Sequence, residues 1–182
     1  MVIASLMLLL SVQAPVIGPT PPSGKNAVVV PRTNDGSVLG AIGARDANMI
    51  EVAKLATTKA SNGEAKSLAA LVLKDHQLSL TAGANLAKEL HITRLLPADS
   101  AMARAQVDEM AALNALSGAA FDRAFVQFIV DDHKAAIVKV TGVEPALATR
   151  ASVKAFVRRR LPTLQAHQLA AEKWLAKYPP PK

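Results

Sequence analysis

The segment FDRAFVQFIVDDHKAAIVKV, from Phe121 to Val140, decides the fold class of this protein. On a helical wheel, at about 100° per residue, it brings Ile129, Ala136 and Val140 to one side. The other side is polar and carries Arg123, Gln127, Asp131 and Lys134. This periodicity is typical of an amphipathic α-helix, and three further long segments of the chain show the same pattern.

Four long helices are predicted, and turn-forming residues separate them. The predicted helices cover about residues 38–60, 61–90, 119–140 and 152–175, and a short helix ends near residue 116. Ser61 and Glu64 have the spacing of a capping box at the start of the second helix. The third helix is expected to end at Thr141-Gly142, and Pro162 is expected to kink or restart the fourth. Long helices with short connections predict an all-α, antiparallel four-helix bundle with an extra short helix.

The composition agrees with a helical protein and excludes several classes of function. Hydrophobic residues make up 51% of the chain and aromatic residues only 3%, a mixture that favours helix over sheet. Cysteine is absent, which excludes a disulfide scaffold, a thiolate metal site and a thiol nucleophile. The sequence contains neither a glycine-rich phosphate loop nor a serine in a nucleophile elbow.

The net charge of +7 allows weak contact with an anionic envelope surface and leaves homo-oligomerisation open. The strongest cationic run, Arg150 to Arg160, contains Phe156 as its single aromatic residue. We interpret this run as a solvated helix face, so no specific contact with nucleic acid is predicted.

The two ends of the chain differ from its centre. Val2 to Val12 is dominated by apolar residues over a length that suits a secretory signal and is too short to span a bilayer. Export to the periplasm or cell envelope is therefore predicted, with a short membrane tether or an apolar arm as the alternatives. The expected organisation is a signal-like segment, a proline-rich linker, a helical domain and a proline-rich tail, at residues 1–18, 19–37, 38–176 and 177–182.

Three of the four histidines fall on the apolar stripes of three different predicted helices. His76 lies between Val72 and Leu80, and His133 lies on the apolar side of the segment from Phe121 to Val140. His167 lies in the fourth helix, within the stripe formed by Val153, Val157, Leu164, Ala171 and Leu175. The three imidazole rings are therefore predicted to converge at the centre of the domain.

Carboxylates accompany these histidines. Asp75 precedes His76, and Asp132 precedes His133. Asp122 lies eleven residues before His133 and returns to nearly the same side, because three helical turns take about 10.8 residues. Polar groups that are buried without a partner cost about 1–3 kcal/mol each, so these side chains are expected to bind one another or a ligand.

Three further polar residues lie near the same stripes. Arg160 faces inward on the fourth helix and is expected to pair with Asp75 or Asp122. Glu51 lies at the edge of the first helix's apolar face, and Ser79 is expected to hydrogen-bond to its own helix.

Two interpretations of the histidine constellation remain open. The favoured one is a non-catalytic envelope or stress-related protein whose His, Asp and Arg side chains form a structural network. The alternative is a divalent transition metal or a small ligand bound by His76, His133 and His167, with Asp75 and Asp122 as ligands or supporting groups. Arg160, Asp132 and Glu51 would then lie in an outer layer around the ligands. The sequence contains no Glu-x-x-His motif, which disfavours a di-iron carboxylate enzyme.

The segments that carry these histidines resemble a known family. KASNGEAKSLAALVLKDH, ALSGAAFDRAFVQFIVDDH and LPTLQAHQLAAEKW are similar to members of the domain of unknown function 4142 family. The resemblance implies an exported bacterial protein with a ferritin-like helical bundle and no established activity. It also implies that His76, Asp122, His133 and His167 are signature positions, and that Met49 or Glu51 is the counterpart in the first helix.

Overall fold

The structure is a computed structural model that describes residues 34–95 and 100–180, with the backbone alone at residues 100–103. Within these ranges the secondary structure is entirely helical. The elements are α1 (Asp35–Lys59), α2 (Gly63–Glu89), α3 (Ser100–Ala115), α4 (Gly118–Val138), a π-helical turn (Lys139–Val143), α5 (Glu144–Leu147), α6 (Ala151–Arg159) and α7 (Leu161–Lys177). None of the described helices has the length and apolar character needed to cross a membrane. The predicted signal-like segment and most of the predicted linker lie outside the described residues.

Two helix pairs carry most of the packing. Helix α1 packs against α2, to which it is joined by the short connection at residues 60–62, and α4 packs against α7. Each of these four long helices buries residues in two apolar clusters. The first cluster includes Met49, Val72, Ile129 and Ala171, and the second includes Ile42, Ala87, Ala136 and Leu164.

A layer of polar side chains separates the two clusters. On each long helix, one buried polar residue lies between the residue that enters the first cluster and the residue that enters the second. These four residues, here called the polar layer, are Asp46 on α1, His76 on α2, His133 on α4 and His167 on α7. The fold therefore places one polar group from every long helix at the same level of the interior.

Several helix boundaries differ from the predicted ones. Helix α1 begins at Asp35 rather than at residue 38. The carboxylate of Asp35 accepts a hydrogen bond from the backbone N–H of Thr149 at 2.7 Å. The cap of α2 is Asn62, whose side chain accepts from the N–H groups of Glu64 and Ala65. The predicted cap, Ser61, instead hydrogen-bonds to Asp122.

The end of the third predicted helix and the break in the fourth have different outcomes. The expected end at Thr141-Gly142 is wrong, because the chain continues through the π-helical turn into α5. The expected restart at Pro162 is confirmed. Helix α6 ends at Arg159, and α7 begins with Pro162 in its first turn, where its missing N–H costs no hydrogen bond.

Candidate metal centre

Three imidazole rings meet in the polar layer. The Nε2 atom of His133 lies 3.5 Å from Nε2 of His76 and 3.2 Å from Nδ1 of His167. One nitrogen from each ring can be chosen so that all three lie within 4.8 Å of one another. All three side chains are buried, and the ring centroids are 5.3–5.8 Å apart. Rings from α2, α4 and α7 therefore present nitrogen atoms to one small volume.

Asp46 orients the ring of His76. Its Oδ1 atom accepts a hydrogen bond from Nδ1 of His76 at 2.9 Å and another from Nη2 of Arg160 at 2.6 Å. Its Oδ2 atom accepts from the hydroxyl of Ser79 at 2.7 Å. Burial acts to raise the pKa of Asp46, but the hydrogen bond from His76 and the charge of Arg160 outweigh it and hold the pKa below its ordinary value. Asp46 is therefore an ionised acceptor, and Nδ1 of His76 must carry the proton.

Asp75 does the same for His167. Its Oδ2 atom lies 3.0 Å from Nε2 of His167, so this nitrogen is the protonated one and Nδ1 keeps its lone pair. Burial lowers the pKa of His167, although the hydrogen bond to Asp75 opposes this shift. The imidazole is therefore neutral, which is the form that binds metal ions.

His133 is the ring whose outer nitrogen lacks a hydrogen bond. Within the described ranges, neither its Nδ1 nor the Oδ2 atom of Asp132 has a partner, and the two atoms lie 3.6 Å apart. Burial, together with the neighbouring His76 and His167, lowers the pKa of His133 to about 3. Burial raises the pKa of Asp132, although nearby cations oppose the shift.

The tautomers fixed by the carboxylates determine what the three rings can do. In their neutral forms, His76 with its proton on Nδ1 and His167 with its proton on Nε2 keep lone pairs on Nε2 and Nδ1 respectively, and both of these atoms lie near Nε2 of His133. With a proton on Nδ1 of His133, the lone pair on Nε2 of this ring would also be available to a metal ion. Tetrahedral zinc, with Zn–N of about 2.0–2.1 Å, sets its nitrogen ligands about 3.3 Å apart. The two distances that involve His133, 3.5 and 3.2 Å, are close to that spacing, and one nitrogen from each of the three rings lies within 4.8 Å of the others.

The charges around the rings also suit a cation. The carboxylates of Asp46, Asp75 and Asp132 flank the three rings, and Arg160 is the one arginine or lysine of the described residues that pairs with any of them. Arg45, which also acts on Asp132, is paired with the buried Glu144 at 3.0 Å. Asp75 and Asp132 therefore have no arginine or lysine in ion-pair contact among the described residues, an arrangement that suits a bound cation.

The structure places three of the predicted site residues differently from the prediction. Asp122 lies away from the rings, and its carboxylate accepts the backbone N–H groups of Ser61 and Asn62 at 2.8 and 2.9 Å. Eleven residues correspond to about 16 Å along a helix axis, so Asp122 and His133 share a side but not a level. Glu51 is 61% exposed and pairs with Lys54 on the surface. Arg160 pairs with Asp46 rather than with Asp75 or Asp122.

Two further observations concern the residues around Asp46. Ser79 donates to Asp46 and does not bond to its own helix as expected. Asp46 itself was not predicted as a site residue, although it is completely buried and binds three polar side chains. A signal was present in the sequence, because Asp46 is four residues from both Ile42 and Ile50 and so lies on the apolar stripe of α1.

Fold and site together define a class of protein: an all-helical domain with a buried histidine cluster supported by carboxylates. The family model DUF4142, described as a domain of unknown function, matches residues 20–174. The chain therefore belongs to the DUF4142 family, and that description assigns no activity. No curated protein matches the chain.

Two of the solved structures that share the fold are described as DUF305 proteins. A DUF305 fragment from Deinococcus radiodurans has a TM-score of 0.71 at 15% identity, covering 80% of this chain and 97% of that one. A putative secreted DUF305 protein from Streptomyces coelicolor has a TM-score of 0.66 at 12% identity, covering 80% and 93% respectively. At these identities the likeness establishes a common helical fold alone.

Proposed function

We propose that this protein binds one divalent transition metal ion through His76, His133 and His167. The observation that carries the proposal is the convergence of three buried imidazole nitrogens within 4.8 Å. It is supported by Asp46 and Asp75, which hydrogen-bond to the outer nitrogens of two of the rings. Carboxylate–histidine–metal arrangements of this kind fix the tautomer of the ligand and raise its basicity.

Three nitrogen ligands imply a mononuclear site with one coordination position left for water or another small ligand. Imidazole ligands suit zinc, copper, iron or nickel. The described residues around the rings supply no Glu-x-x-His pair, so the proposed site differs from that of a di-iron carboxylate protein.

The proposal includes an antiparallel, ferritin-like four-helix bundle that is exported to the periplasm or cell envelope. The pairing of α1 with α2 and of α4 with α7 supports the bundle arrangement. Export is supported by the apolar segment from Val2 to Val12 and by the fold shared with a Streptomyces protein described as secreted. The organisation into residues 1–18, 19–37, 38–176 and 177–182 is part of the same proposal.

A structural network is the second candidate function. The 3.2 Å separation of His133 Nε2 and His167 Nδ1 is a hydrogen-bond distance if His133 carries its proton on Nε2. In that tautomer the polar layer binds no metal and specifies the register of the four helices, as in a non-catalytic envelope protein.

Zinc titration of the tag-free, metal-depleted protein separates the two candidates. We expect one Zn²⁺ per chain by isothermal titration calorimetry, and a loss of more than about 100-fold in affinity for His133→Gln, because it removes a ligand. His91→Gln is the matched control, since His91 is exposed at the end of α2. The absence of Zn²⁺ binding, or equal Zn²⁺ affinity of the two variants, would favour the structural network.

A further inference from the structure

A cavity of about 280 Å³ lies beside the polar layer, between α2, α6 and α7. The apolar part of the lining, here called the apolar wall, consists of Leu78, Ala82, Phe156 and Leu164. Gly83 shapes this wall, because a Cβ atom there would lie 3.1 Å from the Phe156 ring. Small-molecule sites usually have volumes of about 300–1,000 Å³, so this cavity suits a small ligand with an apolar part.

The rest of the lining is polar and includes two arginines. Arg159 and Arg160 both line the cavity, together with the hydroxyl-bearing Ser79 and Thr163. Asp75 is the one acidic residue of the lining, and its Oδ2 atom is already bound to His167. Arg160 is paired with Asp46 and Asp75 is bound to His167, so Arg159 is the charged residue of the lining without an ion pair among the described residues, and it favours an anionic ligand group.

Arg160, which lines the cavity, has an N–H donor that is not used within the described part of the protein. Its side chain is only 6% exposed, and it donates through Nη2 to Asp46 and through Nε to Ser79. Its Nη1 atom is buried and has no partner among the described residues. A buried donor without an acceptor is costly, and the oxygen of a bound anion would satisfy it.

We propose that this cavity binds a small organic carboxylate, with the carboxylate at Arg159 and Arg160 and the hydrocarbon part against the apolar wall. The combination of a guanidinium pair and an apolar wall distinguishes such a ligand from an inorganic anion, which would leave the wall without contacts. His76 belongs both to the cavity and to the histidine cluster, so the ligand would lie next to the proposed metal centre.

The inference does not require the metal, because the features that support it belong to the cavity itself. Benzoate is a suitable probe, since it combines one carboxylate with an apolar ring. We expect benzoate to bind the metal-depleted protein at a single site by calorimetry. Acetate, which lacks the ring, and benzamide, which lacks the charge, should each bind at least about tenfold more weakly.

Two pairs of variants locate the binding. Ala82→Phe fills the cavity and should abolish benzoate binding, whereas Ala70→Phe makes the same change on the exposed side of α2, outside the cavity. Arg159→Gln should weaken binding about tenfold. Arg158→Gln is its matched control, because Arg158 is exposed and does not line the cavity. All four substituted positions are exposed, so each variant is expected to fold. Circular dichroism verifies the folding of each variant.

The result that would overturn the inference is the absence of benzoate binding, or equal binding by Ala82→Phe and Ala70→Phe. Binding of acetate or benzamide as tight as that of benzoate would also overturn it. The metal proposal is judged separately by Zn²⁺ titration of the same preparations. Benzoate binding without Zn²⁺ binding would retain the cavity assignment and reject the metal centre, and the reverse result would do the opposite.

Discussion

Buried aspartates serve two different purposes in this protein. Asp35 and Asp122 accept hydrogen bonds from backbone N–H groups and a hydroxyl of the residues that precede another helix, Thr149 in one case and Ser61 in the other. Asp46 accepts only from side chains, namely His76, Ser79 and Arg160. The first kind fastens a loop to a helix, and the second kind orients groups that titrate and coordinate.

The difference teaches how to recognise function among buried polar residues. When a carboxylate accepts hydrogen bonds from backbone N–H groups, its partners neither titrate nor bind a metal ion. A carboxylate bound to the outer nitrogen of an imidazole determines which ring nitrogen is free to bind a ligand. The four predictions below test these two roles and the protonation of the buried histidines, beginning with the largest expected effect.

Asp46→Ala should lower the free energy of unfolding by about 3–5 kcal/mol, because it leaves Arg160 buried without its ion-pair partner. It should also weaken Zn²⁺ binding, since His76 loses the acceptor that fixes its tautomer. Urea denaturation and zinc calorimetry measure the two effects. A variant as stable as the wild type would contradict the role given to Asp46.

Acidification of the metal-depleted protein should reduce the free energy of unfolding by about 2–3 kcal/mol between pH 7.5 and 4.5. The pKa of His133 is about 3 in the folded protein and 6.5 in the unfolded chain, so the unfolded chain takes up a proton first. Its contribution is complete above pH 6.5 and is lost as the pH falls towards 3. Denaturant midpoints across this range measure the slope.

The matched variants for the acid effect are His133→Leu and His91→Gln. His133→Leu removes one titrating group and should reduce the slope, and the remainder should come from His167, whose pKa burial also lowers. His91→Gln should preserve the slope because His91 is exposed. An unchanged slope in His133→Leu would show that another group causes the acid sensitivity.

Asp122→Ala should cost about 2 kcal/mol, because the N–H groups of Ser61 and Asn62 lose their acceptor at the start of α2. Zn²⁺ affinity should remain at the wild-type value, since Asp122 lies away from the three rings. A parallel loss of Zn²⁺ binding in the folded variant would show that Asp122 belongs to the centre after all.

Asp75→Asn should weaken Zn²⁺ binding by about 10–100-fold, because the carboxylate orients His167. The change in the free energy of unfolding should be small, because the Asp75 side chain is 27% exposed. Glu51→Gln is the matched control: it also removes one carboxylate, but from the surface pair with Lys54. Zinc calorimetry on both variants provides the comparison, and equal affinities would remove Asp75 from the site.

The sequence predicts direction around a helix better than level along it. The helical wheel correctly turns His76, His133 and His167 inward, because hydrophobic periodicity depends only on the angle between residues. It also turns Asp122 inward, but the level at which a residue meets its partner depends on how the helices pack. For this reason the wheel predicts Asp122 at the site, whereas the structure places it against the connection between α1 and α2.

Asp46 illustrates the opposite limit. Its contact with His76 depends on how far α1 is shifted along α2, a distance set by the connection at residues 60–62 and by packing that no single-helix pattern contains. The extension of α4 through the π-helical turn likewise depends on tertiary contacts, since Gly142 alone favours an ending there. An acidic residue on an apolar stripe is nonetheless visible in the sequence, and it indicates a buried carboxylate that needs polar partners.

The most direct test of the metal centre is X-ray absorption spectroscopy of the zinc-loaded protein. The account predicts a first shell that contains three imidazole nitrogens at about 2.0–2.1 Å, together with one further light ligand. A shell with one imidazole or none would contradict the convergence of His76, His133 and His167 on a single ion.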